Sequence, residues 1–244
     1  MAGYLAEVFS SVQGEGLWVG ARHLFLRLSG CNLSCGYCDT PAALRPSPDW
    51  RLEKMPGRRE FVSMANPVGG EDLATILLAL LGSPHRALAV TGGEPLLQAD
   101  FLAELLAYVS RKIPVYLETN GTLPDRLGKL LPMVDIISMD IKLPGACGRE
   151  LWEEHREFLR LAGKKRLFVK IVVTSDTLDE EIEQAMALVA GEDGRIPVVL
   201  QPVTPGSRAQ PPAAARLRAW QERALSALED VRVIPQVHPI LREL

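Results

Sequence analysis

The chain has 244 residues, room for one large α/β domain or two small ones, and its 47% hydrophobic and 23% charged content excludes a disordered or fibrous protein. A formal net charge of -3 carries no basic field of the kind that draws a protein to nucleic acid or an anionic membrane, so neither is an expected partner and a small-molecule substrate is. No run approaches eighteen apolar residues, and the N-terminus lacks a basic segment followed by an apolar one, so a membrane span and a signal peptide are not expected and a cytoplasmic location is.

In chain order, a short alternating stretch from Tyr4 gives way to Gln13-Gly14-Glu15-Gly16, whose glycines permit a tight turn or close approach of the backbone to a ligand. By itself this reads as a hairpin turn with an exposed Glu15. From residue 24, short β-rich runs alternate with apolar patterns at helical spacing. Strands are predicted over Leu24 to Leu28, Ala87 to Val90, Val115 to Glu118, Ile136 to Met139, Leu167 to Val173 and Val198 to Gln201. Helices are predicted over Asp72 to Leu81, Phe101 to Ser110, Asp125 to Leu131, Glu150 to Leu161, Asp179 to Val189 and Ala213 to Leu228. Residues 45–70 interrupt the rhythm with Pro46, Pro48, Pro56, Pro67 and a Gly-Gly, and read as a long excursion from the core with a little structure of its own. Pro205 to Ala215 reads as a connection.

Strands alternating with helices imply parallel pairing through right-handed crossovers. Six such units predict an α/β fold, a partial (β/α)6 barrel of parallel strands, with a doubly wound open sheet as the alternative. The expected organisation is a single domain over 1–244, with 45–70 inserted after the cysteine loop and 202–244 as a C-terminal extension closing the site. A barrel gathers its functional groups at the carboxyl ends of its strands. There the sequence places Arg27 and a cysteine loop, Thr91-Gly92-Gly93-Glu94-Pro95, Glu118-Thr119-Asn120-Gly121, Ser138-Met139-Asp140-Ile141-Lys142, Lys170, and Gln201-Pro202.

Three of the four cysteines, Cys31, Cys35 and Cys38, form C-x3-C-x2-C in the loop after the first predicted strand, so three thiolates can converge on one point. A structural zinc site normally closes with four ligands, and no second knuckle follows. A cubane iron-sulfur cluster is also normally held by four thiolates, and three leave one iron open to an exogenous chelate. The spacing alone serves a zinc knuckle or three core cysteines equally well.

The cysteine spacing together with Gly92-Gly93-Glu94-Pro95 resembles the signature of the radical S-adenosylmethionine (SAM) enzymes. Ser10 to Gly16, Phe25 to Leu33, Cys38-Asp39-Thr40-Pro41, Glu118 to Thr122, Ser138 to Pro144 and Pro235-Gln236-Val237-His238 resemble, over nearly the full length, the 7-carboxy-7-deazaguanine synthase family. The resemblance implies a radical SAM lyase that converts 6-carboxy-5,6,7,8-tetrahydropterin to 7-carboxy-7-deazaguanine, for queuosine and related 7-deazapurines. It implies a [4Fe-4S] cluster, SAM used as a regenerated cofactor, Mg2+, an electron donor such as flavodoxin or ferredoxin, and a homodimer. In that chemistry a 5′-deoxyadenosyl radical takes a hydrogen from carbon 6 of the pterin, the ring contracts, the hydrogen returns to regenerate SAM, and ammonia is lost.

Carried over by position, the resemblance assigns Cys31, Cys35 and Cys38 to the cluster and Thr40 to magnesium. It assigns Gly36, Tyr37, Asp39, Gly93, Glu94 and Ser138 to SAM, with Glu94 and the glycine backbone on its amino group. It assigns Val12, Gln13, Gly14, Arg27, Thr91, Gly92, Glu118 and His238 to the substrate, Arg27 as a planar clamp for its carboxylate and Glu118 as acceptor for its aminopyrimidine N–H groups. Read as residues only, Arg27 is a partly buried ion pair, Glu94 a carboxylate at a helix N-terminus and Glu118 a structural acid. Lys142, Lys170 and Gln201 face the same mouth without an assigned role, Cys147 matches nothing, and His23, His85 and His155 read as structural. Ser138 to Lys142 and Pro239 depart from the family pattern. The competing readings are a glycyl-radical activase and a zinc or iron-sulfur scaffold without catalysis. Gln13 to Gly16 with Arg27 argue against the first, and Gly-Gly-Glu-Pro against the second.

Overall fold

A computed structural model describes residues 1–205 and 209–243; residues 206–208, inside the connection expected over 205–215, and residue 244 lie outside the described residues. The chain opens with β1 (Ala2–Gly3), β2 (Leu5–Val12), β3 (Arg22–Leu28), β4 (Asp49–Glu53), β5 (Phe61–Ala65), β6 (Val68–Gly69) and α1 (Gly70–Leu80). It continues with β7 (Ala87–Gly92), α2 (Ala99–Val109), β8 (Val115–Thr119), α3 (Pro124–Leu127), β9 (Ile136–Asp140), α4 (Pro144–Cys147) and α5 (Trp152–Ala162). It ends with β10 (Arg166–Val173), α6 (Asp179–Asp193), β11 (Val198–Pro202), α7 (Ala214–Ala224), β12 (Val231–Val233) and α8 (His238–Leu241).

Ten strands form one sheet in the order β12-β11-β10-β9-β8-β7-β3-β2-β4-β5. From β3 through β12 every neighbour pairs in parallel. The six predicted strands are therefore present and adjacent, and the sheet is curved but not closed, a partial barrel. The two faces of its strands differ sharply. Leu24, Leu26, Leu28, Leu88, Val90, Val115, Leu117, Val169 and Ile171 point outward and pack under α1, α2, α5 and α6 in one continuous core. Burying each such side chain stabilises the fold by roughly 1.5–3 kcal/mol relative to exposure.

The inward positions change character along each strand. Their lower layer is apolar, with Phe25, Ala89, Tyr116, Ile136, Phe168 and Val199 meeting Phe9 of β2. The Phe9 and Phe25 rings stack at 5.0 Å between centroids. Two residues further along the same strands stand Arg27, Thr91, Glu118, Ser138, Lys170 and Gln201. Because side chains alternate with period two, each comes to the same inner face one layer higher. The registers Arg27↔Thr91, Glu118↔Ser138 and Asp140↔Lys170 hold this upper layer together. A polar ring thus rests on an aromatic floor.

Two expectations need correction. Residues 45–70 are not an excursion from the core, because β4 pairs with β2 and β5 with β4, extending the sheet. Trp50 is 1% exposed in the main core, and its indole N–H donates to the Ala65 carbonyl at 3.2 Å. The prolines punctuate the hairpin rather than exclude it. The helix expected over Asp125 to Leu131 is only α3, followed by a 3-10 turn at Leu131–Met133, where Pro132 removes a helix donor. Among the described residues, no helix is long and apolar enough to cross a membrane.

Candidate active site

Above the aromatic floor lies a cavity of about 360 Å³. Its lining includes Cys31, Cys35, Cys38 and Thr40, then Tyr37, Asp39, Gly93 and Ser138, and Val12, Gln13, Gly14, Arg27, Thr91, Gly92, Glu118 and His238. Of the residues assigned to cluster, magnesium, SAM or substrate, Gly36 and Glu94 do not line it. The Gly36 N–H is spent on the Ala146 carbonyl at 3.0 Å, which anchors the cysteine loop to α4.

The three thiols share the cavity, Cys31 near enough to both Cys35 and Cys38 for their charges to interact. Among the described residues, no three His, Cys, Asp or Glu side chains form a group that could hold one metal ion. A cubane cluster is wider than an ion and is held by thiols set farther apart than the ligands of a single metal. Burial pushes the Cys35 thiol up to about 11 and raises that of Cys31, so both become thiolates only when a metal takes up the charge.

The Gly-Gly pair seats that loop. The Gly93 N–H donates to the Leu28 carbonyl at 3.2 Å and the Glu94 N–H to the Gly30 carbonyl at 2.8 Å. A Cβ on Gly92, whose φ is +141°, would lie 2.2 Å from the Leu28 oxygen, and one on Gly93 would lie 2.1 Å from the Gly30 oxygen.

Glu94 turns away from the cavity. It is fully buried, and its carboxylate accepts from the Leu96 N–H at 2.9 Å, the Thr119 hydroxyl at 2.9 Å and the Asn120 N–H at 2.8 Å. Three donors fill three of the roughly four acceptor positions of a carboxylate, two on Oε1 and one on Oε2. It caps the 3-10 turn after β7 and ties it to the end of β8. Burial lifts its pKa to about 7 against those hydrogen bonds. A folded-state pKa above the ordinary 4.5 makes this group favour the fold at low pH, a contribution lost as pH rises through about 7. Glu94→Gln turns an NH2 toward one of three donors and is expected to cost about 1–3 kcal/mol. It should also flatten the change in stability between about pH 5 and about pH 7.5, the range in which the native carboxyl gives up its proton, as urea titrations at the two ends of that range would show.

A charged network crosses the cavity. Lys170 pairs with Glu15 and lies 3.4 Å from Asp140, while Lys142 lies 2.8 Å from Asp140 and 5.2 Å from the centre of the Tyr37 ring. Burial opposes ionisation of Glu15, yet the Lys170 ammonium overcomes it, with help from Gln236, and holds the pKa at about 2. Burial likewise opposes the lysine charges, but Asp140 on Lys142, and Glu15 and Asp140 on Lys170, keep both well above the ordinary lysine value. Both lysines are fixed positive charges, not bases. Gln236 bridges two loops, donating to Glu15 at 2.7 Å and to Asp39 at 2.8 Å.

Beside this network, Glu118 accepts from the Gln13 amide at 2.7 Å and the Thr91 hydroxyl at 2.8 Å. Burial and then the nearby Glu15 raise its pKa. Arg27 gives its Nε to Glu7 at 2.9 Å and places Nη1 3.5 Å from the Thr40 hydroxyl, which donates to Asp39 at 2.9 Å. Two lining oxygens, Asp140 Oδ1 and Gln201 Oε1, are buried with no protein donor among the described residues. Buried acceptors are normally satisfied, so these fit the donors of a bound group.

The sequence reading left Glu15 as an exposed turn residue and gave no role to Asp140 or Gln236. The signal was present for two of them. Asp140 follows Ser138 by two positions on one strand, and the inward Lys170 needed a buried counter-ion. His238 approaches from the C-terminal segment, where the Val237 N–H donates to the Gly14 carbonyl at 2.9 Å. Cys147 lies outside the cavity, 3.4 Å from the Arg149 carbonyl. His155, held neutral by burial with a pKa near 4, lies 3.1 Å from the Asn120 carbonyl.

Comparison with known proteins agrees with this geometry. Residues 26–189 match the model of the radical SAM superfamily. The chain is 45% identical to the 7-carboxy-7-deazaguanine synthase of Geobacter sulfurreducens, with 98% of this chain and 97% of that one covered. It is 35% identical to the 7-carboxy-7-deazaguanine synthase of Archaeoglobus fulgidus, with 99% of each covered. The crystal structure of QueE from Escherichia coli shares the fold at a TM-score of 0.60 and 21% identity, over 97% of this chain and 94% of that one. With the three thiols, the Gly-Gly seat and the polar ring all on one cavity, the full-length likeness places this chain in the radical SAM superfamily and, within it, in the 7-carboxy-7-deazaguanine synthase family.

Proposed function

We propose that the chain contracts 6-carboxy-5,6,7,8-tetrahydropterin to 7-carboxy-7-deazaguanine with loss of ammonia, supplying queuosine and related 7-deazapurines. The observation that carries this reading is that Arg27 and the Gln13–Glu118–Thr91 group face one cavity with the three thiols. That pairing suits a ligand with a carboxylate at one end and N–H donors at the other. Radical SAM enzymes use a [4Fe-4S] cluster and SAM, which together supply a 5′-deoxyadenosyl radical; Cys31, Cys35 and Cys38 would hold the cluster.

The chain's own residues do the positioning. Glu7 fixes the Arg27 guanidinium through Nε, leaving its outer nitrogens for a bidentate pair with the substrate carboxylate. Gln13 and Thr91 orient the Glu118 carboxylate for the aminopyrimidine edge. Thr40 would offer its hydroxyl oxygen to magnesium, which would supply positive charge beside the substrate carboxylate. Tyr37, Asp39, Gly93 and Ser138 line the SAM side, and Gly14, Gly92, Val12 and His238 the pterin side. Lys142 and Lys170 set the charge of the cavity. The same reading brings a flavodoxin or ferredoxin as electron donor, a homodimer, a single catalytic domain closed by residues 202–244, and the cytoplasm.

The test is anaerobic incubation of cluster-loaded protein with dithionite, SAM, magnesium and 6-carboxytetrahydropterin, followed by mass spectrometry. Formation of 7-carboxy-7-deazaguanine with SAM largely unconsumed is expected. Cleavage of SAM to 5′-deoxyadenosine beside unchanged pterin would overturn the substrate assignment. In the same assay Arg27→Met is expected to raise the pterin KM by roughly 30-fold or more, as loss of a buried charge pair does, and to leave the KM for SAM in place. Glu7 keeps Arg51 at 3.8 Å in that variant.

A further inference from the structure

Behind β2, on the far side of Val12 from the active-site cavity, lies a second concavity of about 410 Å³, lined by Arg22, Arg58 and Arg59 with Ser10, Ser11 and Glu243. None of its arginines faces a carboxylate within ion-pair distance among the described residues. Arg22 donates to the Ser10 hydroxyl at 3.0 Å and to the Pro56 carbonyl at 3.2 Å, both neutral. Arg59 donates to the Arg242 carbonyl at 2.7 Å. The Arg58 side chain is exposed and makes no hydrogen bond or ion pair that the structure describes. Glu53, the buried acid beneath them, spends both oxygens on backbone, accepting from the Ser10 N–H at 2.7 Å and the Arg59 N–H at 2.7 Å.

Three guanidiniums against the Glu243 carboxylate and the Glu53 carboxylate beneath them leave one positive charge in a chain whose net charge is -3. That concentration is held by the turn between β4 and β5. Gly57 at φ +80° and Arg59 at φ +59° both adopt left-handed backbone, Gly57 beside the Arg22 guanidinium. Non-glycine residues rarely adopt this conformation without a reason in their surroundings. The neighbouring His85, 2.9 Å from the Ser10 hydroxyl, has its pKa lowered by burial and then by the Arg22 charge, against the opposing Glu53.

We propose that this concavity is a binding site for a phosphate-type dianion, a phosphate ester or free phosphate, separate from the active site. Planar guanidiniums with free N–H donors are the groups that recognise tetrahedral oxyanions. The compact shape and the negative charge of the chain favour a small ligand over a polyanion. The site also borders the catalytic cavity. Val12 lines both, and Ser11 and Arg59 hold Glu243 and Arg242 of the segment that carries His238.

The experiment is isothermal titration of the full-length, cluster-loaded protein in chloride buffer with glycerol 3-phosphate and, separately, with inorganic phosphate. One saturable site is expected, weakened about tenfold or more in Arg58→Gln and in Arg22→Gln and unchanged in Arg27→Met. Tighter binding of glycerol 3-phosphate assigns the site to esters, and equal binding assigns it to the free anion. Arg58 has no partner to lose, so its variant keeps its melting temperature and separates binding from folding. No saturable binding, or binding kept in Arg58→Gln but lost in Arg27→Met, overturns the proposal.

Discussion

Replacing Lys170 by methionine is expected to cost about 3–5 kcal/mol of stability and to abolish turnover, because it leaves buried carboxylates without their cation. Lys170 is paired with Glu15 and shares Asp140 with Lys142. Asp140 keeps Lys142, but among the described residues Glu15 is left with only the Gln236 amide as a direct partner. In the native chain Glu15 has a pKa of about 2 against the ordinary 4.5. A depressed pKa contributes stability that is present in full above 4.5 and lost as pH falls toward 2. Without Lys170 the sign reverses. Burial then dominates, the Glu15 pKa rises above its ordinary value, and the variant gains stability as pH falls from neutrality toward that value. The gap between native and variant proteins should therefore narrow from about pH 7.5 to about pH 5 in urea unfolding, by on the order of 1 kcal/mol for each pH step over which Glu15 of the variant takes up its proton. Adding Glu15→Gln to Lys170→Met should recover part of the loss, since the two residues act as a pair. An equal loss at both pH values, with no recovery in the double variant, would show that Lys170 acts through packing and not through charge.

The upper ring of the barrel was legible because strands enforce a period of two. Arg27, Thr91, Glu118, Ser138 and Gln201 each end a recognisable β run, and parity alone puts them on one face. What parity cannot give is pairing. Glu15 finds Lys170 at a sequence separation of 155 and Gln236 at 221, and nothing local distinguishes such a glutamate from an exposed turn residue. The hairpin β4–β5 was hidden for a different reason. Its pairing is with β2, which is itself outside the repeating strand-helix pattern, and its prolines fall at the ends of strands where they cost nothing. Glu94 shows a third limit. Its place in Gly-Gly-Glu-Pro was plain, but the direction of its carboxylate is set by Thr119 and Asn120, which reach it only when β7 and β8 lie side by side.

That direction bears on the glycines beside it, and Gly93→Ala is expected to deprive the chain of its iron. A methyl group there would stand 2.1 Å from the Gly30 carbonyl oxygen and 3.0 Å from that of Ala43. Both are backbone atoms, so no side chain can move to relieve the contact. Gly30 and Cys31 are also bonded to the next turn, through Gly30 N–H to Ala43 at 2.8 Å and Cys31 N–H to Leu44 at 3.3 Å. Relief must come from lifting the whole cysteine loop off β7, at about 3 kcal/mol or more, the upper range for overpacking. Gly128→Ala serves as control, because a Cβ there meets nothing within 4 Å. Iron and sulfide bound per chain after anaerobic reconstitution, read beside the urea midpoint, distinguish two roles for the motif. Loss of iron in Gly93→Ala with full loading in Gly128→Ala would mean that the glycine is needed to seat the thiols. Full iron with loss of SAM binding would mean that it is needed for its open approach to the cofactor, and that the loop can shift farther than the backbone contacts allow here.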